Sequence, residues 1–140
     1  MKIQITYDSQ EGIEGFEIIE LKYGLMGLQE VVDHSSEEIY IIDTLDRLPY
    51  EEGNNLLMLS AKKLRLNGTI KISGTDLNCL CKKATCNEID SAAISALLER
   101  TSSLRNVSEV EAVLDKLNLK IQTLTIRGTT YEISAIRPNS

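Results

Sequence analysis

The sequence predicts an α/β fold: one domain, residues 1–140, built on a mixed sheet that is mostly parallel, ends in an antiparallel C-terminal hairpin and carries helices on its faces. Three observations point there. Short β-rich runs are followed by helical patterns along the chain. One run, EIYIID at 38–43, is continuously apolar and suits a strand covered on both faces, as in a parallel sheet. The last two runs, LKIQTLTI and TTYEISAI, alternate around Arg127-Gly128, a strand–turn–strand signal of antiparallel sense.

Each element has its own justification. KIQITY alternates and predicts a first strand over 2–7; FEIIEL predicts a second over 16–21, after the turn residues of DSQEGIEG. The stretch 24–33 fits a short helix or a third short strand. Pro49 suits the first turn of a helix, and Leu56, Leu57, Leu59, Ala61 and Leu64 carry that helix over 49–65. Leu66-Asn67-Gly68 reads as a turn before a strand over 69–73. IDSAAISALLERTSS predicts a helix over 89–101, packed on the sheet or serving as an association surface. Ser108 and Glu111 have capping-box spacing, predicting a helix over 109–117 that Asn118 closes in the left-handed conformation.

Composition narrows the function classes. The chain carries 15 Lys+Arg against 21 Asp+Glu, a formal net charge of −6, with 42% hydrophobic residues. That is globular composition, and no run of about 18 apolar residues exists to span a membrane. MKIQITYDSQ has one basic residue and no apolar core of a secretory signal, so a cytoplasmic location is expected. Residues 1–54 hold 13 acids and 3 bases, whereas residues 55–140 hold 8 acids and 12 bases. Nucleic-acid binding needs clustered Lys/Arg, so the acidic half argues against it. Cys79, Cys81 and Cys86 lack a fourth nearby ligand, and His34, the one histidine, is remote in sequence, so no zinc site is expected. No phosphate loop, nucleophile elbow or metalloprotease motif is present.

The segments EEIYIIDTLDRLPYEE and KKLRLNGTIKISGTDL resemble the second half of a class I S-adenosylmethionine-dependent methyltransferase. In that family a strand ends in a His-x-Leu-Glu-His type motif, followed by a helix, an Arg-x-Leu-Lys-Pro-Gly-Gly turn, a strand and an Asp-Leu pair. Glu38-Ile39-Tyr40 matches the strand start, Leu45 and Leu48 the apolar positions, Lys63-Leu64-Arg65 and Gly68 the turn, and Asp76-Leu77 the final pair. Ser108–Leu117 looks like the last helix and 119–136 like the final strand pair. Gly12–Leu21 resembles the phrase leading into the second strand, with Glu20 near the family's ribose-binding acid. The resemblance implies a Rossmann-like fold.

The departures from the family are as informative. Its first strand normally runs into a Gly-x-Gly loop, whose glycines let the backbone approach the cofactor. Here the strand runs into Thr6-Tyr7-Asp8-Ser9, with no glycine before Gly12. Asp43, Asp46 and Arg47 replace the motif's His, Glu and His, and Leu66-Asn67 replace Pro-Gly. About 17 residues, 22–38, separate the second strand from IYIID, leaving room for one small element. This resembles a degenerate, truncated member of the family.

Three functions follow from the resemblance. The first is a non-catalytic binding or structural module with no cofactor and a protein partner or a second copy, placed in a phage assembly by the family's frequency in phage genomes. The second is a minimal methyltransferase holding S-adenosylmethionine with Tyr7, Asp8, Gly12, Glu20 and Asp43. The third is a pseudoenzyme partner of an active methyltransferase. For Glu20 the plain alternative is a solvated strand-end acid, for Asp43 and Asp46 a helix-entry pair, and for Asp76 a turn cap. An exposed apolar patch on 89–101 or on the hairpin edge favours the first and third; an open pocket among residues 6–12, Glu20 and Asp43 favours the second.

Overall fold

The computed structural model describes residues 1–8, 11–22 and 24–139. Six strands form one sheet: β1 (Lys2–Thr6), β2 (Glu17–Glu20), β3 (Ser36–Ile42), β4 (Leu64–Thr75), β5 (Lys120–Arg127) and β6 (Thr130–Ile136), in the order β2-β1-β3-β4-β6-β5. β2, β1, β3 and β4 run parallel, and β6 and β5 join antiparallel, as the terminal hairpin pattern implied. Among the described residues five helices connect them: α1 (Met26–Gln29), α2 (Tyr50–Lys63), α3 (Leu77–Thr85), α4 (Ser91–Glu99) and α5 (Val107–Lys116). A single 3₁₀ turn, Leu45–Arg47, lies between β3 and α2. Among the described residues no helix is long and apolar enough to cross a membrane.

Strand registry explains the core. Ile3 pairs with Ile39, Ile39 with Ile70, and Ile70 with Ala135, so their side chains share one face of the sheet. Ile5, Ile41, Ile72 and Ile133 repeat the row two residues on, and all of these residues are fully buried. Leu28 of α1, Leu56 and Leu57 of α2, and Val110 and Leu114 of α5 close the same core. Each fully buried Ile or Leu contributes about 1.5–3 kcal/mol of transfer free energy.

The opposite face carries Gln4, Thr6, Tyr40, Ile42, Lys71 and Ser73, and its strand residues stay half-buried at β3 and β4. The continuous run at 38–43 suggested a strand covered on both sides. In the structure Tyr40 is covered by Phe16, whose ring centroid lies 4.7 Å away, and Lys71 reaches over the Tyr40 ring at 5.4 Å. Gln4 is buried and pins the loop between β1 and β2: its amide donates to the Glu11 carbonyl (3.2 Å) and its side-chain oxygen accepts from the Ile13 N–H (2.9 Å). This connection spans only residues 7–16 and holds no helix among its described residues.

Three local expectations differ from the structure, and one helix has no counterpart in the sequence pattern. Leu66-Asn67-Gly68 is not a turn between elements: β4 is continuous, and these residues form an irregularity where its pairing shifts from Ser36↔Leu64 to Glu38↔Thr69. Asn67 takes the left-handed conformation there (φ 63°). Residues 77–85 form α3. The last helix starts two residues earlier than its Ser108/Glu111 spacing suggested: Asn106 is the N-cap, and its backbone N–H donates to the Glu109 carboxylate at 3.4 Å. Helix 89–101 is shorter, Ser91–Glu99, and buries none of its residues. Asn118 does close α5 in the left-handed conformation (φ 61°).

Candidate functional site

In an open α/β sheet, ligands bind outside the carboxyl ends of the strands, where strand order reverses. Here the chain runs from β1 outward to β2, then back to β3 on the other side of β1, so the reversal lies between β1 and β3. Thr6 of β1 is in register with Glu20 of β2, and Ile5 with Ile41 of β3. Tyr7, Glu20 and Asp43 therefore end three adjacent strands, about 4.8 Å apart from one strand to the next. Three of the five residues singled out from the sequence converge on this edge.

Glu20 is exposed and shares a face with Gln4 and Thr6. Tyr7 is half-buried, and the Arg47 guanidinium lies 4.8 Å from its ring centroid. Asp8 has Lys22 at 3.9 Å; Ser9, the next residue of that segment, lies outside the described residues. Gly12 is elsewhere. The Gln4 hydrogen bonds hold its loop over the middle of β1, and a Cβ on Gly12 would meet Ile18 Cδ1 at 2.9 Å. It packs against β2 and does not line the edge.

Thr44 occupies the reversal point, and the sequence reading missed it. It is fully buried, and its hydroxyl lies 2.8 Å from the Ile42 carbonyl and 3.2 Å from the Ile5 carbonyl, one donor shared between β3 and β1. A Thr between two acids in IIDTLD gave no signal of this. Asp43, just before it, is a non-glycine residue at φ 49°, and its N–H reaches Ser73 of β4.

A cavity of about 300 Å³ opens at the same edge but is displaced toward β4 and β6. Asp43, Asp46, Arg47, Thr75, Thr130 and Arg100 are among its walls. Of the five singled-out residues, Asp43 lines it. Asp46 is buried; one carboxylate oxygen accepts from the Thr75 N–H (2.8 Å), and the other has no partner among the described residues. Burial pushes its pKa up, with the nearby Asp43 charge adding to the shift. Tyr131 lies beneath, with its hydroxyl also unpartnered and its pKa raised by burial. Both line the space beside Gly74, where a Cβ would meet the Tyr131 hydroxyl at 2.9 Å and Asp46 at 3.2 Å.

Asp76, expected as a turn cap, caps helices instead. It is buried, and its two oxygens accept from Cys79 N–H (2.9 Å) at the start of α3 and from Val107 N–H (2.8 Å) at the start of α5. Burial pushes its pKa up, but these hydrogen bonds outweigh that and leave it lowered. Buried Arg105 completes the joint, donating to the Tyr50 carbonyl (2.7 Å) and to Ser103 (3.1 Å). His34 lies at the opposite end of the sheet, against Arg137. Cys79 and Cys81 sit on α3 and Cys86 follows it; no group of three metal-ligating side chains occurs among the described residues.

No family model and no curated protein matches the chain. Solved structures do. An O-methyltransferase family protein from Burkholderia thailandensis superposes with a TM-score of 0.65 at 14% identity, covering 88% of this chain and 36% of that one. A SAM dependent methyltransferase from Archaeoglobus fulgidus gives 0.61 at 14% identity, covering 87% and 68%. Magnesium protoporphyrin IX methyltransferase from Synechocystis PCC 6803, solved with bound SAH, gives 0.55 at 13% identity, covering 87% and 50%. The chain thus spans about a third of the first of these proteins and half of the Synechocystis enzyme. At these identities the likeness is one of fold: a Rossmann-like, methyltransferase-like sheet.

Proposed function

We propose that this chain is a non-catalytic, methyltransferase-fold binding module. One observation carries the reading: at the carboxyl ends of β1 and β3, where the fold would take a cofactor, the chain's own Thr44, Arg47 and Tyr7 contact one another's strands and side chains. Thr44 bridges the Ile5 and Ile42 carbonyls, and Arg47 lies over Tyr7 beside it. S-adenosylmethionine, the cofactor that the fold implies, does not fit this arrangement. Its close approach needs bare backbone after the first strand, and the first glycine there, Gly12, is held over the sheet face.

The short connection between β1 and β2 agrees with a truncated, degenerate member of the fold. A protein partner or a second copy is the expected ligand, since Leu98 on α4 and Ile126 on the edge strand β5 are both exposed. A cytoplasmic assembly, a phage one included, is the setting that the sequence resemblance supports; support of a catalytic methyltransferase is the related role. A minimal S-adenosylmethionine-dependent methyltransferase is the second reading; in its support Glu20 ends β2 beside Thr6, and the sequence resemblance puts it near the family's ribose-binding acid.

Amide chemical shifts separate the two. With S-adenosylhomocysteine added in excess, the binding-module reading expects Tyr7, Glu20 and Asp43 to stay unmoved. Saturable shifts confined to those residues would overturn the first reading and favour the second.

A further inference from the structure

We infer that the cleft at the amino ends of the parallel strands, opposite the carboxyl edge, binds a small anionic amphiphile, of the class of a medium-chain carboxylate. The cleft measures about 650 Å³, within the usual range for small-molecule sites. It is formed by the last turns of α2, the irregular start of β4, the corner between α5 and β5, and the chain after β6. Met58, Leu66 and Leu119 are among its apolar walls, and Lys62, Arg137 and His34 provide its polar groups. Among the described residues no Asp or Glu lines it, in a chain with 21 acids.

The apolar part lacks cover. Met58 is 56% exposed and Leu66 is 53% exposed, both in the wall of this one cleft. An alkyl chain laid across them would remove that surface from water, and flexible Met adapts to such a ligand. The polar part is set for an anion. One Arg137 nitrogen donates to the Leu64 carbonyl (2.7 Å) and contacts His34 Nδ1, which fixes the guanidinium plane. The other nitrogens have no hydrogen bond among the described residues, and a guanidinium offers its remaining donors in a fork that matches a carboxylate.

The surrounding charges leave a positive balance. Asp33 is shared by Lys63 (2.6 Å) and Lys62 (3.6 Å), with Lys63 the closer partner, so Lys62 keeps an exposed charge at the rim. The carboxyl ends of α2 and α5 carry partial negative charge toward this region. Lys63 in the last turn of α2 offsets the charge at the end of α2, and Lys116 with the adjacent Asp115 adds no net charge at the end of α5, which leaves the anion to Arg137 and Lys62.

The test is calorimetric titration of the whole chain with octanoate, with octylammonium as the matched cation, followed by Lys62→Glu and Met58→Asp variants. Both substituted side chains are exposed, and thermal melting checks that each variant folds. Octanoate is expected to bind at least tenfold more tightly than octylammonium, with about tenfold weakening in K62E and loss in M58D, whether or not the carboxyl edge binds any cofactor. Equal affinity for the two probes, no octanoate binding at about 5 mM, or binding unchanged in both variants would overturn the inference.

Discussion

Replacing Asp76 by Ala removes one side chain that begins two helices. Its carboxylate accepts the N–H of Cys79 in the first turn of α3 and the N–H of Val107 at the start of α5, at 2.9 and 2.8 Å, in a buried setting. A hydrogen bond to a charged group contributes about 1.5–3 kcal/mol, and loss of an N-cap costs about 0.5–2 kcal/mol. Two donors left unpaired in the joint should together cost about 3 kcal/mol. Asp76→Asn keeps one acceptor oxygen and turns an NH₂ toward the other helix, so it should cost roughly half as much. Urea unfolding at pH 7 reads both values from midpoint and slope. The lowered pKa sets the pH dependence: the stabilisation is present above the unfolded value of 3.8 and is lost as pH falls through the lower folded value. The gap between wild type and the Asn variant should therefore close in strong acid. A cost below about 0.5 kcal/mol for D76A, or no ordering between the Asn and Ala variants, would refute the double-cap account.

Three further outcomes follow from the same region. Gly53→Ala should destabilise by about 1–3 kcal/mol, against the gain of about 1 kcal/mol usual for this change in a helix, because the new Cβ would lie 2.6 Å from an Arg105 nitrogen held by the Tyr50 carbonyl; a thermal melt gives the sign. Asp46→Asn should raise stability at pH 7. The folded pKa of Asp46 is raised by burial, so wild type loses stability as pH rises from 3.8 through that folded value; the advantage should vanish below about pH 3, as a pair of pH–stability curves would reveal. Asp43→Gly should stabilise by about 0.5–1 kcal/mol by relieving the left-handed backbone at φ 49°, measured by urea midpoint.

Local alternation exposed most of the sheet, because strand period and inward-facing Ile residues coincide at Ile3/Ile5, Ile39/Ile41 and Ile70/Ile72. The terminal hairpin was legible for the same reason, with Gly128 at φ 63° in its turn. What escaped depends on tertiary contacts. α3 was hidden under a cysteine cluster, although Asp76 before Leu77 and Leu80 is a cap signal. The start of α5 had two boxes of equal spacing, Asn106/Glu109 and Ser108/Glu111; the hydrogen bond from Val107 N–H to Asp76, 31 residues away, accompanies the first. The apolar run at 38–43 does not record that the second face is only half-buried, with Phe16 over Tyr40 in place of a helix. At the candidate site, strand ends located Tyr7, Glu20 and Asp43, whereas Thr44 acts through a carbonyl 39 residues away and leaves no local pattern.

On the binding-module reading, the Thr44, Tyr7 and Arg47 contacts at the ends of β1 and β3 take the place of a bound cofactor. Isothermal titration of the whole chain with S-adenosylmethionine, paired with thermal shift, tests it most directly. Neither heat nor shift is expected at about 1 mM ligand; saturable binding tighter than about 100 μM, roughly −5.5 kcal/mol, would overturn the binding-module reading.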